Sequence, residues 1–383
     1  MTRFILLLGA LAVLTGCGDN FPDEELHFGL EDKLRPYAVV IEPPEAAPGE
    51  TVQVTLLLHA PAPDELDIAW RVALDYDIGL YEVDEIERDI RPLAVAAVPT
   101  ADAEGFTTQT FAWTVPDSAL LLTSALPDVI DDPILRELLA AAGLGGGGSP
   151  TRAEVDAALK ALTPADIAAM PADLRAAVFA VVDRFACQVR LRATLDDGRA
   201  VDVTRNLTVR HTGRLGGANA NHNTTLTTFA VVAVHGRDAT ETDLRDPAKP
   251  KSRYDFVSGG MAVADTLAVP FHDDWTYFLD LDSELETYGA PYEMGLTVRE
   301  VRSLRWYYRR SDAPRADHAF FVTDAGDPAE MGDLDDQPRI DPPGAGAVYR
   351  IVAVPRDHRD DWVAYHAVPG TGLGVGVVRF VAP

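Results

Sequence analysis

Apolar and polar residues begin to alternate with a period of two at Pro36–Val40. The pattern is clearest in TVQVTLLLHA, where Val52, Val54, Leu56 and Leu58 share a face. It recurs in LDIAWRVALDY (Ile68, Trp70, Val72, Leu74) and in TQTFAWTVP (Phe111, Trp113, Val115). A pleated strand with one face buried and one solvated imposes this period, so these segments are predicted as half-buried antiparallel strands. The Pro- and Gly-rich PPEAAPGE is the turn before the second of them.

From Asp117 to Arg184 the chain turns Ala- and Leu-rich with helix punctuation. DDPILRELLAAAGLGGGG places Pro133 near a helix start and Gly143 beyond its end. SPTRAEVDAALKAL offers a capping box at Thr151 and Glu154. TPADIAAM and MPADLRAAVFAVVDRF each restart a helix with Pro just inside it. Strands return in ACQVRLRATLDDGRAVDVTRNLTVRH, two alternating runs around the hairpin dipeptide Asp197-Gly198. HTGRLGGANANHN, from His211 to Asn223, reads as a linker. Beyond it, LTTFAVVAVHG, DTLAVPF, WTYFLDL, VRSLRWYYRR, AVYRIVAVP, DWVAYHAV and GVGVVRFVA are strand candidates. No internal repeat shows at the residue level.

Residues 37–116 and 186–211 together supply 106 residues, the size of an immunoglobulin-like sandwich. Trp70 and Cys187 stand where such folds carry their core Trp and later Cys. On these residues the chain resembles the Ig-like domains of bacterial envelope proteins. It departs from the pattern in lacking an earlier cysteine, with Val52 or Val54 at the facing position. The resemblance implies a mainly β fold of two β-sandwich domains. The first spans 37–211 with a helical insertion at 117–184, a linker covers 212–224, and the second spans 225–383. An insertion of 68 residues is more than a sandwich needs, so it is expected either to recognise a protein partner or to cap one end.

The amino-terminal MTRFILLLGALAVLTGC changes where this body is expected to reside. Arg3 precedes an apolar run of eleven residues, Phe4–Leu14. A membrane span needs about 20, so the run has the length of a signal-peptide core. Leu14-Thr15-Gly16-Cys17 resembles the lipobox of bacterial lipoproteins at every position. The resemblance implies cleavage of residues 1–16, lipid on the Cys17 thiol and an acylated new terminus, giving the stable anchor that a single acyl chain does not. Gly18 rather than Asp follows the cysteine, which points to the outer membrane of the cell envelope. Residues 17–36 are acidic and polar, as suits a solvated tether.

Removing residues 1–16 takes away Arg3 and no acid, moving the net charge from −27 to −28. Such a chain repels phosphate backbones and anionic head groups, so no nucleic-acid partner is expected. With Cys17 acylated, Cys187 has no partner for a disulfide and stability must come from core burial.

There is no Gly-x-Ser-x-Gly elbow, Gly-x-x-x-x-Gly-Lys loop or His-Glu-x-x-His pair, and GTGLGVG precedes no helix. The expectation is a non-catalytic structural or binding module without a cofactor. An envelope hydrolase with a non-standard site is the rival from another class. Acidic clusters supply the other rival, a calcium-dependent adhesion or glycan-binding module. DLDSELE offers Asp280, Asp282 and Glu284, and DAGDPAEMGDLDD offers Asp333, Asp335 and Asp336. Solvated loops are the expectation for both, since close-set carboxylates arise by chance in so acidic a chain. His272-Asp273-Asp274 and Asp357-His358 each hold a single histidine, a sparse set for a transition metal. In SLRWYYRR, Trp306 is predicted in the core, with Arg305, Tyr307 and Arg309 on a solvated face.

Overall fold

The computed structural model describes residues 34–60, 62–78, 85–101, 106–118, 120–121, 157, 161, 163–183, 188–198, 200–213, 222–223, 226–256, 266–283, 287–290, 296–310, 339–340, 342–359 and 374–383. The protein is mainly β. Its first part runs β1 (Arg35–Glu42), β2 (Glu45–Ala46), β3 (Thr51–His59), β4 (Asp67–Ile78), β5 (Glu85–Leu93), β6 (Thr100–Ala101), β7 (Phe106–Thr114), α1 (Pro164–Ala169), α2 (Ala172–Val182), β8 (Gln188–Asp196) and β9 (Ala200–Val209). The second runs β10 (Leu226–His235), α3 (Glu241–Arg245), β11 (Lys251–Asp255), β12 (Thr266–Pro270), β13 (Trp275–Ser283), β14 (Thr287–Ala290), β15 (Leu296–Arg310), β16 (Arg339–Ile340), β17 (Val348–Arg359) and β18 (Gly374–Val381).

Two sheets, ordered β1-β3-β7-β6 and β2-β9-β8-β4-β5, enclose the first core. Val52, Val54, Leu56 and Leu58 of β3 meet Trp70, Val72 and Leu74 of β4 and Val189, Leu191 and Leu195 of β8 there. Each such aliphatic side chain, fully buried, contributes about 1.5–3 kcal/mol. Trp70 is satisfied as well as buried, donating Nε1–H to Gln109 Oε1 at 2.8 Å. The β8–β9 hairpin turns at Gly198, whose φ of +98° favours glycine.

The second part has sheets ordered β11-β10-β13-β16 and β12-β18-β17-β15-β14. Trp306 lies fully buried between them with Tyr277, Ile351 and Phe380. Glycine is structural at Gly376 of β18, where an added Cβ would stand 2.4 Å from Phe256.

A repeat invisible in the residues emerges in the pairing. In the first part β1–β3, β3–β7, β8–β9 and β4–β8 are antiparallel, whereas β2–β9 is parallel. In the second, β10–β13, β13–β16, β17–β18 and β15–β17 are antiparallel, and β12–β18 is parallel. Five pairings recur in the same chain order. The two parallel ones depart from the all-antiparallel expectation.

β1 and β3 are not half-buried. Their second face, with Tyr37, Ala38, Val40 and Leu57, packs with Phe106 against Val352 and Val354 of β17 and Val375 of β18. Phe106 stacks on Tyr37 at 5.6 Å, and the Arg350 guanidinium lies 4.0 Å over its ring. This apolar seam joins the two parts. In the β15–β17 register Arg305, Tyr307 and Arg309 stand opposite Val354, Val352 and Arg350.

Both described ends of the predicted linker are tied down. The Thr212 N–H donates to Asp183, and the Asn223 side chain donates to the Ile41 carbonyl at 2.6 Å. In the insertion, Thr163 caps α1 through a reciprocal capping box with Asp166. α2 buries Val178, Val181 and Val182, a stripe at helical spacing. The proposed helices around Pro133 and Thr151, the strand DWVAYHAV and Cys187 lie outside the described residues.

Candidate functional site

The β10–α3 loop and the turn before β13 bring a cluster of polar and aromatic side chains to one end of the second part. The β10–β13 register sets His235 opposite Trp275. The His235 ring meets the Trp275 ring edge-on at 5.7 Å, and His272 leans over it at 5.5 Å. His235 Nε2 lies 3.1 Å from the Asp274 carboxylate. The turn is fixed from below. Buried Tyr277 accepts from the His272 N–H at 2.7 Å and donates to the Pro270 carbonyl at 2.9 Å. The Gly236 N–H donates to the Asp274 carbonyl, and Thr276 Oγ1–H donates to that of Gly236. His235, Asp273 and Asp274 are exposed, and Trp275 is half-buried. The sequence had singled out His272-Asp273-Asp274 but not His235, whose only signal is its place at the end of an apolar strand.

The proposed calcium ligands do not assemble among the described residues. The Asp280 carboxylate accepts from Arg253 Nη1, so a guanidinium already neutralises it. Asp282 lies on β13 two residues further along the same strand. Glu284, Asp333, Asp335 and Asp336 lie outside the described residues, as does Cys17. Asp357 and His358 are on β17, opposite Arg302 and Val301. Among the described residues, no group of three or more His, Cys, Asp or Glu side chains has a geometry that holds a metal ion. Nor, among them, is any helix long and apolar enough to cross a membrane.

A second polar cluster, missed in the sequence, lies where α2 ends. Asp183 is fully buried, and its carboxylate accepts from the His211 N–H at 2.7 Å, the Thr212 N–H at 2.9 Å and Thr212 Oγ1. The Asp183 carbonyl accepts from Arg210 Nη1 at 3.1 Å, and Arg210 pairs with buried Glu45 at 3.1 Å. His211 packs against Phe179 at 5.6 Å. A carboxylate just past a helix carboxyl terminus sits on the unfavourable end of the macrodipole, the one local hint that another partner holds it there.

No family model and no curated protein matches the chain. Among solved structures, a crystal structure of a DUF4466 family protein from Parabacteroides merdae aligns over 91% of this chain and 99% of that one, at 9% identity. Its TM-score of 0.16 carries no argument about fold or function.

Proposed function

We propose that the protein is a lipid-anchored, non-catalytic binding or structural module of the bacterial cell envelope. The observation that carries this reading is the Leu14–Cys17 box, at the end of an apolar run too short to span a bilayer. The stretch from Cys17 to the start of the fold would hold the body off an outer membrane, its last expected residues, Arg35 and Pro36, already pairing with β3, and no nucleic acid is a partner of so acidic a chain.

The body is read as two Ig-like sandwiches, 37–211 and 225–383. Sheet orders β1-β3-β7-β6 and β2-β9-β8-β4-β5 support this, matching an Ig layout in which the first strand is split between the sheets and its second piece runs parallel to the last strand. On that reading the helical insertion enters between the strands equivalent to E and F, and Trp70 occupies the expected core place. The same five pairings in the second part support its being a second copy of the layout.

Metabolic labelling with a palmitate analogue tests the anchor. The intact chain is expected to carry label and to enter the detergent phase. Cys17→Ala is expected to lose both, and a Cys17→Ala protein that still partitions into detergent overturns the reading.

Glycan recognition is a second reading, favoured by the half-buried Trp275 with exposed carboxylates beside it. Covering about 50 Å² of the indole with a sugar is worth about 1.3 kcal/mol by area, so Trp275→Ala is expected to weaken retention on an immobilised envelope polysaccharide by about tenfold. Equal retention of the two proteins removes this reading.

A further inference from the structure

We propose that His211 is an acid-sensitive latch that fastens helix α2 to the end of strand β9 and lets it go when its imidazole is protonated. The geometry is that of a fastening. α2 is tied at its carboxyl end through Asp183, which takes the main-chain N–H groups of His211 and Thr212, and through Phe179, which packs on the imidazole. His211 is only 6% exposed, and among the described residues neither ring nitrogen has a hydrogen-bond partner. The charged groups that the described residues bring to this corner are Asp183 just past α2, Arg210 just past β9 and Glu45 of β2. Arg210 and Glu45 engage each other, and the Asp183 carboxylate is already occupied by three donors. A proton on His211 would therefore place a cation in a buried site with its ring nitrogens unpartnered, which is costly.

Burial pushes the imidazole down to about 4, against a smaller opposing pull from Asp183. Once α2 is released, the same ring returns to its ordinary value near 6.5. Between those values the released form binds the proton and the docked form does not. Docking is therefore intact above pH 6.5 and weakens as the pH falls toward 4. Each unit is worth up to tenfold; with both forms half-protonated at the two edges, the change between pH 6.5 and 4 is about 80-fold.

Hydrogen exchange on the intact mature protein tests this, with protection factors of the α2 amides compared with those of β8. Protection of α2 is expected to fall by about 80-fold between pH 6.5 and 4 while β8 stays protected, and His211→Phe is expected to abolish the fall. Three results overturn the latch: constant α2 protection, loss of α2 and β8 together, or an unchanged fall in His211→Phe. Should His211→Phe not fold, NMR titration of the wild-type imidazole decides. A midpoint near 4 supports the latch, and one near 6.5 overturns it.

Discussion

Replacing Asp183 by alanine is expected to destabilise the protein by about 3–5 kcal/mol, since hydrogen bonds to a charged group are worth about 1.5–3 kcal/mol each and the two from exposed Thr212 count for less. The side chain is fully buried and accepts from two main-chain N–H groups and one hydroxyl. Its loss orphans the buried His211 N–H, at about 1–3 kcal/mol, whereas water reaches the two groups of exposed Thr212. Asp183→Asn keeps one oxygen and is expected to lose about half as much. Urea unfolding at neutral pH measures both, and near-wild-type stability in Asp183→Ala would mean that other groups satisfy these donors.

Phe106→Ala is expected to cost about as much, 3–5 kcal/mol by the usual range for an aromatic deleted from a core. Its effect should take a different form. The ring touches Tyr37 and His59 on its own sheet and lies under Arg350 of the other part. The cation–π contact alone is worth about 1–2 kcal/mol when desolvated. Truncation therefore attacks the coupling of the two parts more than either core. Calorimetry of the wild type should show one cooperative transition and that of Phe106→Ala two. A single transition at an unchanged midpoint would show that the seam carries no stability.

How legible these features were in the sequence depended on how local their causes are. The period-two runs located β3, β4, β7, β8 and β9, since one buried face suffices to write that pattern. Asp197-Gly198 marked its hairpin because the turn demands a positive φ. The second buried face of β1 and β3 was hidden, because the residues covering it, Val352, Val354 and Val375, lie some 300 positions away. β5 escaped because EIERDIRPL is charged and contains Pro92, which an edge strand tolerates. β14 and β16, at four and two residues, are too short for any period. For the sites, His272, Asp273 and Asp274 were visible as neighbours in the chain. His235 joins them only through strand register, and Asp183 meets His211 only after the chain has returned through β8 and β9.

Each half of this protein carries one side of an apolar surface complementary to the other. Cut between residues 212 and 224, the first half would present Tyr37, Ala38, Val40, Leu57 and Phe106 to water, and the second would present Val352, Val354 and Val375. Contiguous apolar surface of this sort drives self-association. Fragments that look like self-sufficient domains on paper are thus poor reagents. A cell synthesising this chain must likewise keep the first half from sticking to its neighbours until the second has emerged.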